Sequence, residues 1–190
     1  MSRQVLVVLG HPCSDSLCAG LATAYADAAR AAGAQVRVLR LGSLVFDPLL
    51  HAGYRQVQTL EPDLVAAQQD ILWAQHLVWV YPIWWGAMPA LLKGFIDKVF
   101  TNGWAYKPSK HGVEGRLTHI ERAVVVTMMN TPKWAYRWLY GNAVQRALVR
   151  GTLRKCGVRK VQWVALSPVR HATDAKRQAW LQQVGAMFGA

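Results

Sequence analysis

The sequence predicts a doubly wound α/β fold, a parallel sheet of five strands with helices on both faces. Three observations lead there. Short runs such as Gln4–Leu9 are apolar without alternation, the pattern of strands buried on both faces. These runs alternate with longer segments whose apolar residues recur at helical spacing. No repeat or low-complexity linker interrupts the alternation, and 190 residues at 53% hydrophobic supply one well-buried core with little to spare. One domain over residues 1–190 is therefore expected.

In chain order, Gln4–Leu9 is strand one, and Ser16 caps an Ala-rich helix that runs through Arg30 and is closed by Gly33. Residues 35–41 read as strand two. Pro48, Gly53 and Pro62 make 44–62 irregular, 63–74 is helical, and 76–81 is strand three. Pro89 opens a helix through Leu91, Leu92, Phe95, Ile96 and Val99 that ends near Asn102-Gly103. Arg122–Met128 is strand four, 142–156 a basic amphipathic helix stopped at Gly157, Lys160–Leu166 strand five, and 173–188 the last helix.

Net charge is +12, from 22 basic and 10 acidic residues. Beyond Asn130 stand eleven basic residues and one acid, Asp174. Arg146, Arg150 and Arg154 would form one helical stripe. A solvated face accounts for it; attraction to nucleotide phosphates, an anionic membrane surface or an acidic partner are the functional alternatives. No recognition motif accompanies the charge, so no specific nucleic acid is expected. Cys13, Cys18 and Cys156 are odd in number and form no Cys-x-x-Cys, which points away from disulfides and zinc. The start, Met1-Ser2-Arg3-Gln4, runs into an apolar segment too short for a secretory signal and without a cleavage site, so a cytoplasmic protein is expected. Residues 71–95 are apolar enough to raise a membrane span, but Pro82, Gly86 and Pro89 would break a single helix there.

Open parallel sheets bind ligands beyond the carboxyl ends of their strands, where strand order reverses. The first such loop, Gly10-His11-Pro12-Cys13-Ser14-Asp15-Ser16, offers hydroxyls and backbone amides at a helix amino terminus, a phosphate site without lysine. It matches neither Gly-x-Gly-x-x-Gly nor the Gly-x-x-x-x-Gly-Lys-Ser/Thr loop. Ser16 is equally explained as a helix cap and His11 as a loop histidine, although His11 directly follows strand one. The loop Pro82-Ile83-Trp84-Trp85-Gly86-Ala87-Met88-Pro89 places two tryptophans at the sheet edge. They suit the flat isoalloxazine ring of a flavin, a dimer contact, or both.

The chain resembles the flavodoxin-like NAD(P)H:quinone oxidoreductases, including DT-diaphorase and the flavoproteins that accompany glutathione-gated potassium efflux systems. The resemblance rests on Leu9-Gly10-His11-Pro12 with Ser16, on Phe46-Asp47-Pro48, and on the run from Tyr81 through Pro89-Ala90-Leu91-Leu92-Lys93-Gly94-Phe95-Ile96-Asp97-Lys98-Val99-Phe100 to Gly103-Trp104-Ala105-Tyr106. It implies a flavodoxin-like sheet of order 2-1-3-4-5. By the same resemblance His11, Ser16, Leu17 and Cys18 surround the flavin phosphate, Pro82, Ile83, Trp84 and Trp85 line the isoalloxazine, and Tyr106 reaches the acceptor site of a partner subunit.

After strand four the chain departs from DT-diaphorase: Thr127-Met128-Met129-Asn130-Thr131-Pro132 replaces a Thr-Thr-Gly-Gly type loop. Thr127 and Asn130 remain as donors to the flavin. Trp134, Tyr136, Trp138 and Tyr140 read as a lid over the acceptor or as core or dimer packing. The implied activity is ping-pong, two-electron hydride transfer from NAD(P)H through bound flavin to quinone-like acceptors, in a homodimer with shared active sites. FMN is preferred to FAD, and NADPH to NADH on the local positive charge. The alternative is a regulatory flavoprotein subunit, peripheral at the inner face of the membrane, that binds a transporter such as a potassium efflux system.

Overall fold

The computed structural model describes residues 3–56, 58–110 and 112–189. Met1 and Ser2, which open the segment compared with a secretory signal, lie outside the described residues. The elements are β1 (Gln4–Leu9), α1 (Leu17–Ala31), β2 (Gln35–Arg40), α2 (Pro62–Trp73), β3 (His76–Pro82), α3 (Ala90–Val99), β4 (Tyr106–Ser109), β5 (Gly112–Gly115), β6 (Arg122–Met128), α4 (Lys133–Trp138), a π-helix (Val144–Arg154), β7 (Lys160–Leu166) and α5 (Asp174–Ala186). Five strands form a parallel sheet in the order β2-β1-β3-β6-β7, which is 2-1-3-4-5 when these strands alone are numbered. The flavodoxin-like doubly wound architecture is thus as expected.

The sheet separates two apolar cores, because alternate side chains of a strand leave on opposite faces. Leu6 and Val8 of β1, Leu77, Trp79 and Tyr81 of β3, and Ala123 and Val125 of β6 meet α2, α3 and the π-helix on one side. Val5, Val7 and Leu9, Val78 and Val80, and Val124 and Val126 meet α1 and α5 on the other. Each fully buried Val or Leu contributes roughly 1.5–3 kcal/mol. Ser16 begins α1 by accepting the Ala19 amide at 3.2 Å, and Thr173 begins α5 by accepting the Lys176 amide at 3.3 Å.

Residues 44–61 carry no regular element and are held against α3 instead. Buried Lys98 donates to Glu61 at 2.5 Å, and Glu61 accepts the Asp47 amide at 3.2 Å. Gly94 permits the close packing of Pro48, since a Cβ there would stand 2.4 Å from the Pro48 carbonyl oxygen. Lys93 and Asp97 form the expected i,i+4 pair at 2.6 Å.

Three features differ from the sequence expectation. The β4–β5 hairpin and α4 arise where only connections are expected, because four-residue strands punctuated by Pro108 and Gly112 and a six-residue helix leave no periodic signal. The basic helix over 142–156 is a π-helix, Val144–Arg154, on which Arg146, Arg150 and Arg154 are not buried. No helix among the described residues is long and apolar enough to cross a membrane.

His76 opens β3 with its ring buried, stacked on Phe188 with centroids 6.1 Å apart, and its Nε2 3.0 Å from the Tyr25 hydroxyl. Burial, then the charges of Arg122 and Arg3, drives its pKa down to about 3. Between that value and the ordinary 6.5 the unfolded chain binds the proton and the fold refuses it, so stability declines as pH falls through this interval. At pH 4 the loss amounts to about 3 kcal/mol. Urea unfolding at pH 7 and pH 4 should show a clearly smaller loss for His76→Gln than for the parent chain; equal losses would assign the decline to carboxylates instead.

Candidate functional site

Beyond the carboxyl ends of β1, β3, β6 and β7 lies a cleft of about 380 Å³. It sits where strand order reverses on either side of β1. His11, Ser16, Leu17 and Cys18 form one wall, Pro82, Ile83 and Trp84 a second, and Met128, Met129 and Asn130 a third, with Val169 and Arg170 closing the rim.

The first wall is built by the start of α1. The Ser16 hydroxyl accepts the Ala19 amide and donates to the Cys13 carbonyl at 3.1 Å, so it caps the helix and shapes the loop at once. The Leu17 and Cys18 amides have no acceptor among the described residues, and the helix dipole adds partial positive charge at that point. His11 Nδ1 lies 3.0 Å from the Cys13 amide nitrogen and 3.1 Å from the Cys13 carbonyl oxygen, so the ring is tied to the loop through that nitrogen. Its ring meets Trp84 edge to face, with centroids 5.5 Å apart. The Cys18 thiol is buried, which pushes its pKa up to about 12 and keeps it an unreactive thiol.

The second wall ends in a tight turn. Trp84 and Ala87 exchange both backbone hydrogen bonds, at 2.9 and 3.0 Å, around Trp85 and Gly86, whose φ values are +50° and +77°. Positive φ at both positions defines a type I′ turn. Trp85 points away from the cleft and is fully exposed, whereas Trp84 lines it. The expectation that both indoles line the slot is corrected for Trp85, because the turn sends its side chain outward. The Ile83 and Trp84 amides are already given to the Met128 and Ala87 carbonyls, so they are not free donors.

The third wall is tied to the rim: Asn130 Oδ1 accepts the Arg170 amide at 2.8 Å, leaving its Nδ2 as a donor. Thr127 is corrected too. It is fully buried, its hydroxyl accepts the Trp163 indole N–H at 2.9 Å, and it does not line the cleft. Tyr106, half-buried at the start of β4, lies outside this chain's cleft and lines two others with Tyr54.

Val169 and Arg170 are the residues that the sequence reading passes over. The signal was present, since the loop after the last strand of a parallel sheet opens on the same edge. Tyr136 plays a structural part. Its buried side chain donates the hydroxyl proton to the Gly86 carbonyl at 3.0 Å and accepts the Val144 amide at 3.1 Å. The Trp85–Gly86 turn is thereby fastened to the π-helix. Trp134, Trp138, Leu139 and Tyr140 are instead exposed.

A doubly wound sheet with helix-end amides and an aromatic wall at its switch point has the architecture in which open α/β proteins bind their ligands. The chain belongs to the family with a flavodoxin-like fold, which it matches over residues 3–187. A protein of Haemophilus influenzae described as an uncharacterized NAD(P)H oxidoreductase is 25% identical over 183 residues, 93% of this chain and 90% of that one. The glutathione-regulated potassium-efflux system ancillary protein of an Enterobacter strain is 46% identical over 54 residues, 28% of this chain and 31% of that protein. Among solved structures, the NAD(P)H:quinone oxidoreductase of Methanothermobacter marburgensis is similar with a TM-score of 0.84 at 24% identity, over 98% of this chain and 97% of that one. An FMN-dependent NADH-azoreductase of Bacillus anthracis, solved with FMN, gives 0.74 at 16% identity, over 100% and 98%. These two likenesses show the fold.

Left-handed backbone at a bulky residue costs about 1 kcal/mol, and a fully exposed indole returns no burial. Trp85→Asn makes the Asn-Gly pair that a type I′ turn prefers and should raise stability by about 1 kcal/mol. Thermal unfolding checks this; a lower midpoint would show that the indole packs on the chain.

Proposed function

We propose that the chain is a single domain over residues 1–190 acting as a flavin-dependent NAD(P)H:quinone oxidoreductase in the cytoplasm, as a homodimer with shared active sites. The observation that carries this reading is the pair of acceptor-less amides at Leu17 and Cys18 facing a slot walled by Pro82, Ile83 and Trp84. Phosphate suits the amides and a flat ring suits the slot. When bound, a flavin supplies two-electron hydride transfer from NAD(P)H to a quinone-like acceptor.

The chain's own residues bind and orient. The Leu17 and Cys18 amides hold the phosphate, and Ser16 keeps the loop in the shape that presents them. His11 offers its Nε2, and Asn130 its side-chain amide, to polar atoms of the ligand. Met128, Met129 and Trp84 exclude water from the slot, which strengthens each of those hydrogen bonds. FMN is favoured over FAD because the next concavity beyond His11, beside Arg40 and Ser43, holds only about 100 Å³. Arg170 at the rim supports NADPH as hydride donor through its charge.

The exposed face of Trp134, Trp138, Leu139 and Tyr140 supports pairing with a second copy, in which Tyr106 reaches the partner's acceptor site. A regulatory subunit on a transporter is the second reading. The local likeness to the potassium-efflux ancillary protein favours it over 28% of the chain, against 93% for the oxidoreductase relative.

Purified protein reconstituted with FMN and desalted should keep flavin bands that bleach anaerobically with NADPH and return with benzoquinone. Retention of no flavin overturns the reading. Arg170→Glu should raise the NADPH KM about tenfold, the effect of losing one charge-assisted contact. Tyr106→Ala should keep its full flavin content while kcat with quinone falls; an unchanged kcat removes Tyr106 from the acceptor site.

A further inference from the structure

The opposite edge of the sheet holds a second cleft, of about 580 Å³, at the amino ends of β3, β6 and β7 and beside the residue preceding β1. Arg3, Arg122, Arg154, Arg159 and Lys160 line it, with Glu121 the one carboxylate among the described residues of its wall. Arg122 has partners of its own, and the other four cations against one anion leave a surplus of three positive charges among the described residues of the cleft.

Helix ends explain two of these cations. Arg154 closes the π-helix, and Arg122 Nη2 donates to the Met187 carbonyl at the end of α5, at 3.0 Å. The remaining three serve no helix end. Arg159 and Lys160 enter no ion pair among the described residues, and Arg3 lies over the Phe188 ring, 5.6 Å from its centroid. Arg122 and Lys160 also stand directly opposite in the β6–β7 register, where like charges repel.

His76 supplies an independent observation at the same cleft. Its Nδ1 is buried and without a partner among the described residues, while Nε2 meets the Tyr25 hydroxyl. If Tyr25 donates to Nε2, the ring hydrogen sits on Nδ1 and only that donor is unmatched. The other tautomer would strand both the tyrosine proton and the Nδ1 lone pair. An unmatched buried donor beside surplus positive charge calls for an acceptor that carries negative charge.

We propose that this amino-edge cleft binds a small polyanion, an oligophosphate or a metabolite bearing at least two phosphate groups, at a site separate from the carboxyl-edge cleft. Multiple phosphates are favoured because one phosphate dianion would neutralise only about two-thirds of the surplus. The cations Arg159 and Lys160, at the amino end of β7, hold the anion, and its arrival relieves the repulsion between Lys160 and Arg122.

The test is calorimetric titration of the full chain, preincubated with FMN, with inorganic tripolyphosphate at about 150 mM salt. Saturable binding of one anion per chain is expected, weakened at least about tenfold in R159Q/K160Q and within about twofold of the parent in R146Q/R150Q. Without anion, R159Q/K160Q should melt higher than the parent chain, and it should lose the rise in melting temperature that tripolyphosphate gives the parent. If that variant does not fold, Arg3→Gln takes its place with the same expectation.

Absence of saturable binding overturns the proposal, as does an equal loss in the two double variants, which would reduce the effect to net charge. Binding abolished by FMN would place the anion in the carboxyl-edge cleft and overturn it also. Association with phosphatidylserine vesicles in the absence of tripolyphosphate binding would replace the site with a membrane-facing surface.

Discussion

Strands β1, β3 and β6 have to hide side chains on both of their faces, and most of the architecture follows from that demand. An apolar strand cannot leave either face to water, so helices must cover both. Right-handed crossovers between parallel strands then bring every strand-to-helix loop to one edge. Helix amino termini with unused amides gather there, and helix carboxyl termini with their cations gather at the other. The chemical difference between the two ends of the molecule is therefore a product of chain direction, established before any particular residue is chosen.

The fold was highly legible because its strands are continuous apolar runs. β1, β6 and β7 lie at the bounds read from the sequence, and the order 2-1-3-4-5 matches. The β4–β5 hairpin and α4 were not legible, since neither is long enough to repeat a period. The cleft was legible where a motif sits directly after a strand, as with His11 and Ser16 after β1 or Pro82 to Trp84 at the end of β3. It was illegible where backbone geometry redirects a side chain. Trp85 turns outward on a positive φ, and Thr127 is buried with its hydroxyl given to Trp163. Arg170 depends on a hydrogen bond between loops forty residues apart, a contact without local signature.

The aromatic segment after β6 shows how one residue sorts a cluster. Sequence alone leaves Trp134, Tyr136, Trp138 and Tyr140 equivalent. In the fold only Tyr136 of these four is buried, and its hydroxyl joins the Gly86 carbonyl to the Val144 amide. Burial raises its pKa against the hydrogen bonds it receives, so the phenol keeps its proton and can go on donating to Gly86. The wall formed by Trp84 thus owes its position to a tyrosine outside the cleft, and membership of the flavodoxin-like family over 3–187 describes the scaffold on which that local arrangement is built.

The sheet also works as a partition. Val7 belongs to the core under α1 and α5, while its neighbour Val8 belongs to the core under α2 and α3. Adjacent positions in the chain therefore report to different packing problems. Substitutions on opposite faces share few partners and combine close to additively, whereas substitutions on the same face compensate or clash. A lineage or an engineer can repack one core without renegotiating the other, which lets the side facing the π-helix change while the side under α1 and α5 stays constant.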